Sequence, residues 1–393
     1  MASTITIEPV TRIEGHAKVT IHLDDAGKVT EARMHVNEFR GFEKFCEGRM
    51  FFEMPQITQR ICGICPISHH LASAKACDAI VGQELPRPAR LIRELMHMGQ
   101  FIQSHALHLF HLASPDLLLG FDADPATRNV VGVIEAVPDL ALKGIGLRKF
   151  GQEVIRKIGG KRIHPYDAAT PNSVNKGLDP ADRDELCAKI DGVVEGMREA
   201  VAVVKGYAEV NAEQMESFAA FPSGYAGLVG DQGQLELYEG RIRMVDSQLR
   251  PWEPDYDPAN YLNYIAEKTV PWSYLKFPYY RKLGFPAGAY RVGPLARLNL
   301  CSGISTPSAR DEWQSFKALG GGDAVEGSLF YHLARAIEGL HAAERARELL
   351  ADDDITATET LAIGPVRNRD GVGVIEAPRG TLIHHYQVDD TGR

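Results

Sequence analysis

Leu91, Leu95, Met98, Ile102, His105, Leu109 and Leu112 recur at steps of four and three residues, which places them on one face of an α-helix. The stripe begins just after Pro86 and Pro88, residues suited to a helix start, and commits this stretch to one long amphipathic helix. A second stripe, Leu186, Ile190, Val194, Met197, Val201 and Val204, follows Asp179-Pro180, a capping carboxylate and a first-turn proline. A third passes through Leu329, Leu333, Ile337 and Leu340 and continues to Leu350. Helices of this length bury such stripes against each other, so a bundle is expected at the centre.

Period-two alternation is confined to the ends. Ala17, Val19, Ile21 and Leu23 alternate with polar residues, Asp24-Asp25-Ala26-Gly27 intervenes, and Ala32, Met34 and Val36 alternate again, the pattern of a hairpin. Extended patterning returns at Ile355 to Ala362 and at Val372 to Ile375. The stretch 221–322, heavy in Pro, Gly, Tyr and Trp, reads as packed loops. The expected class is therefore mainly α with small β additions (α+β). Its segments are a β-rich start over 1–60, a helical bundle over 61–220, an irregular region over 221–322, a helix over 323–354 and an extended end over 355–393.

The formal net charge is −9, and a chain of that balance lacks the basic face that phosphate neutralisation requires, so nucleic acid is not an expected partner. Six cysteines in 393 residues, four of them isolated at Cys46, Cys77, Cys187 and Cys301, make no disulfide framework and favour a reducing compartment. The N-terminus carries no charged and apolar leader, and no run is long enough to span a bilayer, so a cytoplasmic location is expected.

The other two cysteines lie in Arg60-Ile61-Cys62-Gly63-Ile64-Cys65-Pro66-Ile67-Ser68-His69-His70. Two thiolates at this spacing can grip one metal, and their softness selects zinc, iron–sulfur, copper(I) or another thiophilic transition metal over magnesium or calcium. Half a zinc site, a dithiol redox centre, an iron–sulfur ligand pair and a different metal centre stay open on spacing alone. No second Cys-x-x-Cys or His-x3-His pair completes a structural zinc site. The motif also lacks the βαβ setting of a thioredoxin-like dithiol. Core packing is the bland reading, here as for the isolated cysteines.

Four segments occur in order: Thr11-Arg12-Ile13-Glu14-Gly15-His16, Phe39-Arg40-Gly41-Phe42-Glu43, Arg60 to His69, and Glu376-Ala377-Pro378-Arg379-Gly380. With these the chain resembles, over essentially its whole length, the large catalytic subunit of nickel–iron hydrogenases. Arg148-Lys149-Phe150-Gly151 and Gly380-Thr381-Leu382-Ile383-His384-His385 are most similar to the cytoplasmic, bidirectional NAD-reducing branch, with the deazaflavin-reducing branch close behind.

The resemblance implies reversible cleavage of H2 at a nickel–iron centre whose iron carries cyanide and carbonyl ligands. Cys62 would be a terminal nickel thiolate and Cys65 the thiolate bridging nickel to iron. Arg379 would overhang the open metal position, where a fixed guanidinium can polarise a bound molecule. Glu14 would gate protons, a task for a carboxylate, although its bland reading is a surface carboxylate paired with Arg12. Glu43 would bind a structural magnesium, a hard ligand for a hard ion. Asp116 would pair with Arg379, and His69 would hydrogen-bond the bridging sulfur or a cyanide. His105, His108 and His111 are expected to face a crowded interior or an interface.

An iron–sulfur small subunit would carry the electrons to diaphorase subunits that bind NAD, since no glycine-rich phosphate loop follows a strand in this chain. The family's closing DPCxxCxxH segment is absent before Arg393, so a truncated chain unable to hold nickel and iron unaided is expected. Two alternatives are a metal-free scaffold that docks an iron–sulfur partner and a quinone-binding subunit related to the respiratory NADH-quinone oxidoreductase. The presence of Cys62 and Cys65 argues against the second.

Overall fold

The computed structural model describes residues 3–38, 40–166 and 168–393; Phe39, within one of the four motifs, lies outside them. Helix makes up 47% of the chain and strand, in small sheets, 18%, which bears out a mainly α class with β additions. Two compact units are present, Met1–Phe45 with Tyr261–Tyr290, and Cys46–Asn260 with Arg291–Arg393.

In the first unit the expected hairpin forms, Lys18–Leu23 pairing antiparallel with Val29–His35 so that Ile21 faces Ala32. Asp24 holds its turn by accepting the N–H groups of Ala26 and Lys28, both at 2.9 Å, and Gly27 takes the left-handed conformation at φ 78°. A further strand, Ser3–Ile7, pairs with Lys18–Leu23 to complete three strands. A second hairpin, Ile265–Val270 with Ser273–Tyr280, joins this sheet where the Tyr274 N–H donates to the Val36 carbonyl at 2.8 Å.

The second unit holds the long helices Pro66–Val81, Arg87–Leu107, Pro138–Gly159, Pro180–Val210 and Phe330–Ala351. Leu91, Leu95, Met98, Ile102 and His105 are buried, as their spacing requires, and Asp179 caps its helix by accepting the Ala181 N–H at 2.9 Å. Beyond Leu107 the first stripe continues through a π turn, His108–Ala113, into Ser114–Leu119. The helix Pro138–Gly159 buries Leu147, Phe150, Val154 and Ile158 on one face, with glycines among them. The glycines serve contact: a Cβ on Gly151 would sit 2.4 Å from the Gly99 carbonyl oxygen, so two helices meet there backbone to backbone.

Residues 221–322 are more ordered than their composition suggests. They hold the hairpin Gly224–Val229 with Arg241–Val245 and the helices Pro294–Leu300 and Pro307–Leu319, besides the second hairpin of the first unit. Ile355 to Ala362 is not a strand; Asp353–Thr356 is a short 3-10 helix. Val372 to Ile375 does lie in one, Asp370–Ala377, which pairs with Gly380–Gln387. No helix among the described residues is long and apolar enough to cross a membrane.

Candidate metal centre

Cys65 is the residue immediately before the helix Pro66–Val81, with Pro66 in the first turn. That position sets its side chain at the positive end of the helix dipole, where negative charge is favoured. Cys62 is buried, its sulfur lies 2.6 Å from that of Cys65, and no disulfide joins them. The Cys65 backbone N–H donates to the Cys62 sulfur at 3.2 Å. From the facing helix, Gln100 and Gln103 each donate an amide N–H to the Ile64 carbonyl, at 3.1 and 3.3 Å. The loop between the cysteines is thus tied to the bundle by two side chains that periodicity alone assigns to packing.

The strand Asp370–Ala377 lies flush on the cysteine helix. A Cβ on Gly371 would meet the Ala76 carbonyl oxygen at 2.2 Å, and one on Gly373 the Ala72 carbonyl oxygen at 2.0 Å. Two residues forward on the strand therefore match four residues back on the helix, about 6 Å in each case. Continued at that pitch, the register carries the Pro378-Arg379 turn towards the Cys65 end.

This turn is clamped from below. Arg297, fully buried, donates to Glu338 at 2.5 and 2.8 Å, to Glu376 at 2.6 Å and to the Ala377 carbonyl at 3.1 Å. Glu376 also accepts the Leu228 N–H and the Thr381 hydroxyl, each at 2.8 Å. Burial would raise both carboxyls; Arg297 and His105 pull Glu338 down to about 2, whereas Glu376 stays above its ordinary value. The Arg379 side chain is exposed and has no ion-pair or hydrogen-bond partner among the described residues. Its charge is felt at His108 and Arg335, where it adds to the burial that lowers both.

The remaining expected residues fall in several places. His69 sits one turn below Cys65, its N–H donating to the Cys65 carbonyl at 3.4 Å, and burial lowers its ring to about 4. His69 Nδ1 meets His384 Nε2 at 3.2 Å, and burial lowers the His384 ring to about 3. Asp116 pairs with Arg128 at 3.6 Å, and the expected ion pair with Arg379 is not formed among the described residues. Glu14 and Glu43 belong to the first unit and are exposed. Glu43 pairs with Arg40, three residues before it. His105 bonds Glu338 and His108 bonds His332, both at 3.2 Å, so these histidines do face the interior.

Among the described residues, no three His, Cys, Asp or Glu side chains converge on a point. At the start of the cysteine helix the donor set is the pair of sulfurs, which fits a soft transition metal in preference to a hard cation. Arg297, Glu338, Gln100, Gln103 and Tyr386 support the site without lying in its motifs. The sequence signal for the first four is a polar residue inside an apolar helical run.

Residues 4–39 match a family described as HoxL-like, and residues 40–129 match the nickel-dependent hydrogenase family. Over 388 residues the chain is 46% identical to one chain of the F420-non-reducing hydrogenase vhu of Methanocaldococcus jannaschii, covering 99% of this chain and 92% of that one. The chain belongs to the nickel-dependent hydrogenase family. Another relative in this family, the NAD-reducing hydrogenase HoxS subunit beta of Cupriavidus necator, is 43% identical over 407 residues, 100% of this chain and 83% of the relative. A solved NAD+-reducing NiFe-hydrogenase in the H2-reduced state superposes with a TM-score of 0.96 at 46% identity, over 100% of this chain and 87% of that one. The large-subunit hydrogenase fold is thereby shown, and the quinone-binding alternative is not favoured.

Proposed function

We propose that this hydrogenase subunit contributes the thiolates of Cys62 and Cys65 to a nickel–iron centre at which dihydrogen is cleaved, and that electrons pass to NAD through partner subunits. The observation that carries the reading is the paired sulfurs at the start of a helix against which the Arg379 hairpin is laid in fixed register. When bound, such a centre supplies the Lewis acidity that polarises dihydrogen, with cyanide and carbonyl on its iron.

Cys65 would supply the bridging thiolate and Cys62 a terminal one. Arg379, whose guanidinium has no partner among the described residues, would orient the substrate and could donate to a cyanide. Asp116 helps set the charge around that arginine, and His69 donates to the bridging sulfur or a cyanide. Glu14 accepts the released proton and returns it to solvent, for which its exposure suits it. Glu43 is assigned to a magnesium ion, a hard carboxylate for a hard cation. An iron–sulfur small subunit takes the electrons, and a diaphorase passes them to NAD; the 0.96 superposition on the NAD+-reducing enzyme supports this acceptor.

The test is nickel content and hydrogen-dependent NAD+ reduction by the complex with its partners. Cys65→Ser is expected to abolish both, and Arg379→Lys to keep nickel while lowering turnover. Full nickel in Cys65→Ser would refute the ligand assignment.

A further inference from the structure

The ring of His69 ends a hydrogen-bonded row that crosses from the cysteine helix to the C-terminal hairpin and back. His69 Nδ1 lies 3.2 Å from His384 Nε2, His384 Nδ1 lies 2.6 Å from Tyr386 Oη, and Tyr386 Oη lies 2.8 Å from Ser73 Oγ. His384 stands opposite Gly373 in the strand ladder, so the same close packing of strand on helix delivers its ring to His69. His69 Nε2 has no hydrogen-bond partner among the described residues.

Such a row has a direction. Two imidazole nitrogens 3.2 Å apart need one proton between them, because two bare nitrogens, or two N–H groups, repel. If the protons run from His69 towards Ser73, His69 is left with a bare Nε2. If they run the other way, it carries an Nε2–H. The contact between His384 and Tyr386 decides this. At 2.6 Å it is shorter than N–H···O bonds usually are and falls within the range of hydroxyl donors. A phenol O–H is also a stronger donor than a neutral imidazole N–H, and the imidazole nitrogen a good acceptor. Tyr386 therefore donates to His384 Nδ1. A hydroxyl both donates and accepts, so with the Tyr386 proton given to His384 the 2.8 Å contact is left for Ser73 to donate, and the His384 Nε2–H is directed at His69 Nδ1.

We propose that His384 and Tyr386 are positioning residues that lock His69 in the Nε2–H tautomer, so that an N–H donor, and not a lone pair, is presented on the helix face that carries Cys65. The catalytic consequence rests on Cys62 and Cys65 being metal ligands; the tautomer does not.

Ring nitrogen-15 labelling of histidine in the purified chain reads the tautomer by NMR. Protonated Nε2 and bare Nδ1 are expected at both His69 and His384. Tyr386→Phe removes the directing hydroxyl and mixes the tautomers. His384→Gln, whose amide N–H can still donate to His69 Nδ1, keeps His69 as in the parent. A parent spectrum with the proton on His69 Nδ1 overturns the proposal. In the nickel-loaded complex, Tyr386→Phe is expected to shift the cyanide and carbonyl infrared bands at unchanged nickel content. His384→Leu is expected to lower turnover about 10- to 100-fold, with recovery in His384→Gln. Unmoved bands together with unchanged turnover also overturn it. A parent complex that takes up no nickel would instead sink the ligand assignment, and the tautomer spectrum would still judge the row.

Discussion

The arginine-bearing motif near the end of the chain and the glutamate-bearing motif near its start are held in opposite ways. Glu376 and the carbonyls of Ala377 and Pro378 are fixed by one buried guanidinium, Arg297, and the strand leading to them presses on a helix through glycines. Thr11–His16 is exposed at every position, with Arg12 at φ 57° and Gly15 at φ 75°. On the proposed reading, the cation that must stay aimed is built on the core, and the carboxylate that would pass protons to water lies on an exposed loop. Rigidity and solvation would then be separated along the sequence according to the chemistry proposed for each residue.

The largest way to break this contrast is Arg297→Met. It leaves Glu338 and Glu376 buried without their shared cation, which is expected to cost about 3–5 kcal/mol. Urea unfolding of the substituted chain measures it, and a loss below about 1 kcal/mol would mean that the turn is not clamped. Next comes acid. His70 is fully buried; its Nδ1–H donates to the Pro55 carbonyl and its Nε2 accepts the Ala169 N–H, both at 2.8 Å. Burial lowers it to about 4. The unfolded ring, near 6.5, takes up a proton first as pH falls. Its contribution is therefore complete above about pH 6.5 and lost towards pH 4, by about 3 kcal/mol in all. Replacing it with Gln should flatten the acid limb of stability by up to that amount.

How much of this could be read beforehand follows from the same physics. The stripes through Leu91, Leu186 and Leu329 announce their helices because each buries one face against a neighbour. In Pro138–Gly159 close helix contact puts Gly144 and Gly151 on the buried face, where they thin the apolar run that Leu147, Phe150, Val154 and Ile158 carry. The short elements of 221–322 are concealed by the Pro and Gly that shape their turns. At the site, Cys62, Cys65 and His69 announce themselves by spacing, and the structure brings them together at one helix end. Arg297 and Glu338 are marked locally only as polar residues inside apolar helical runs; their pairing is not legible, since a buried ion pair joins residues distant in sequence. Asp116 pairs with Arg128, a contact set by the turn that follows its helix and invisible to motif matching.

Glycine substitutions sharpen the comparison at smaller cost. Gly373→Ala would push a methyl group to within 2.0 Å of the Ala72 carbonyl oxygen, and such overpacking costs about 1–3 kcal/mol. Gly15→Ala meets nothing within 4 Å, so only its left-handed backbone resists, at about 1 kcal/mol. Thermal unfolding should rank the two in that order, and the reverse order would show that the hairpin yields more easily than the loop.

The smallest effect on stability is expected for Glu14→Gln, and there the comparison becomes functional. The side chain is exposed on an irregular loop, so loss of its charge should leave the unfolding midpoint where it was. Proton transfer should suffer instead: an amide cannot carry the proton away, and removing a positioned acid–base group typically lowers turnover about 100- to 10,000-fold. Steady-state hydrogen oxidation by the complex measures the turnover. Exchange of dihydrogen with deuterated water reports whether the proton still escapes. If Glu14→Gln turned over and exchanged like the parent, protons would leave by another route, and the pairing of a solvated carboxylate with a core-mounted guanidinium would lose its functional meaning. If it instead unfolded early, the loop would be part of the scaffold, and the contrast between the two ends of the chain would fail.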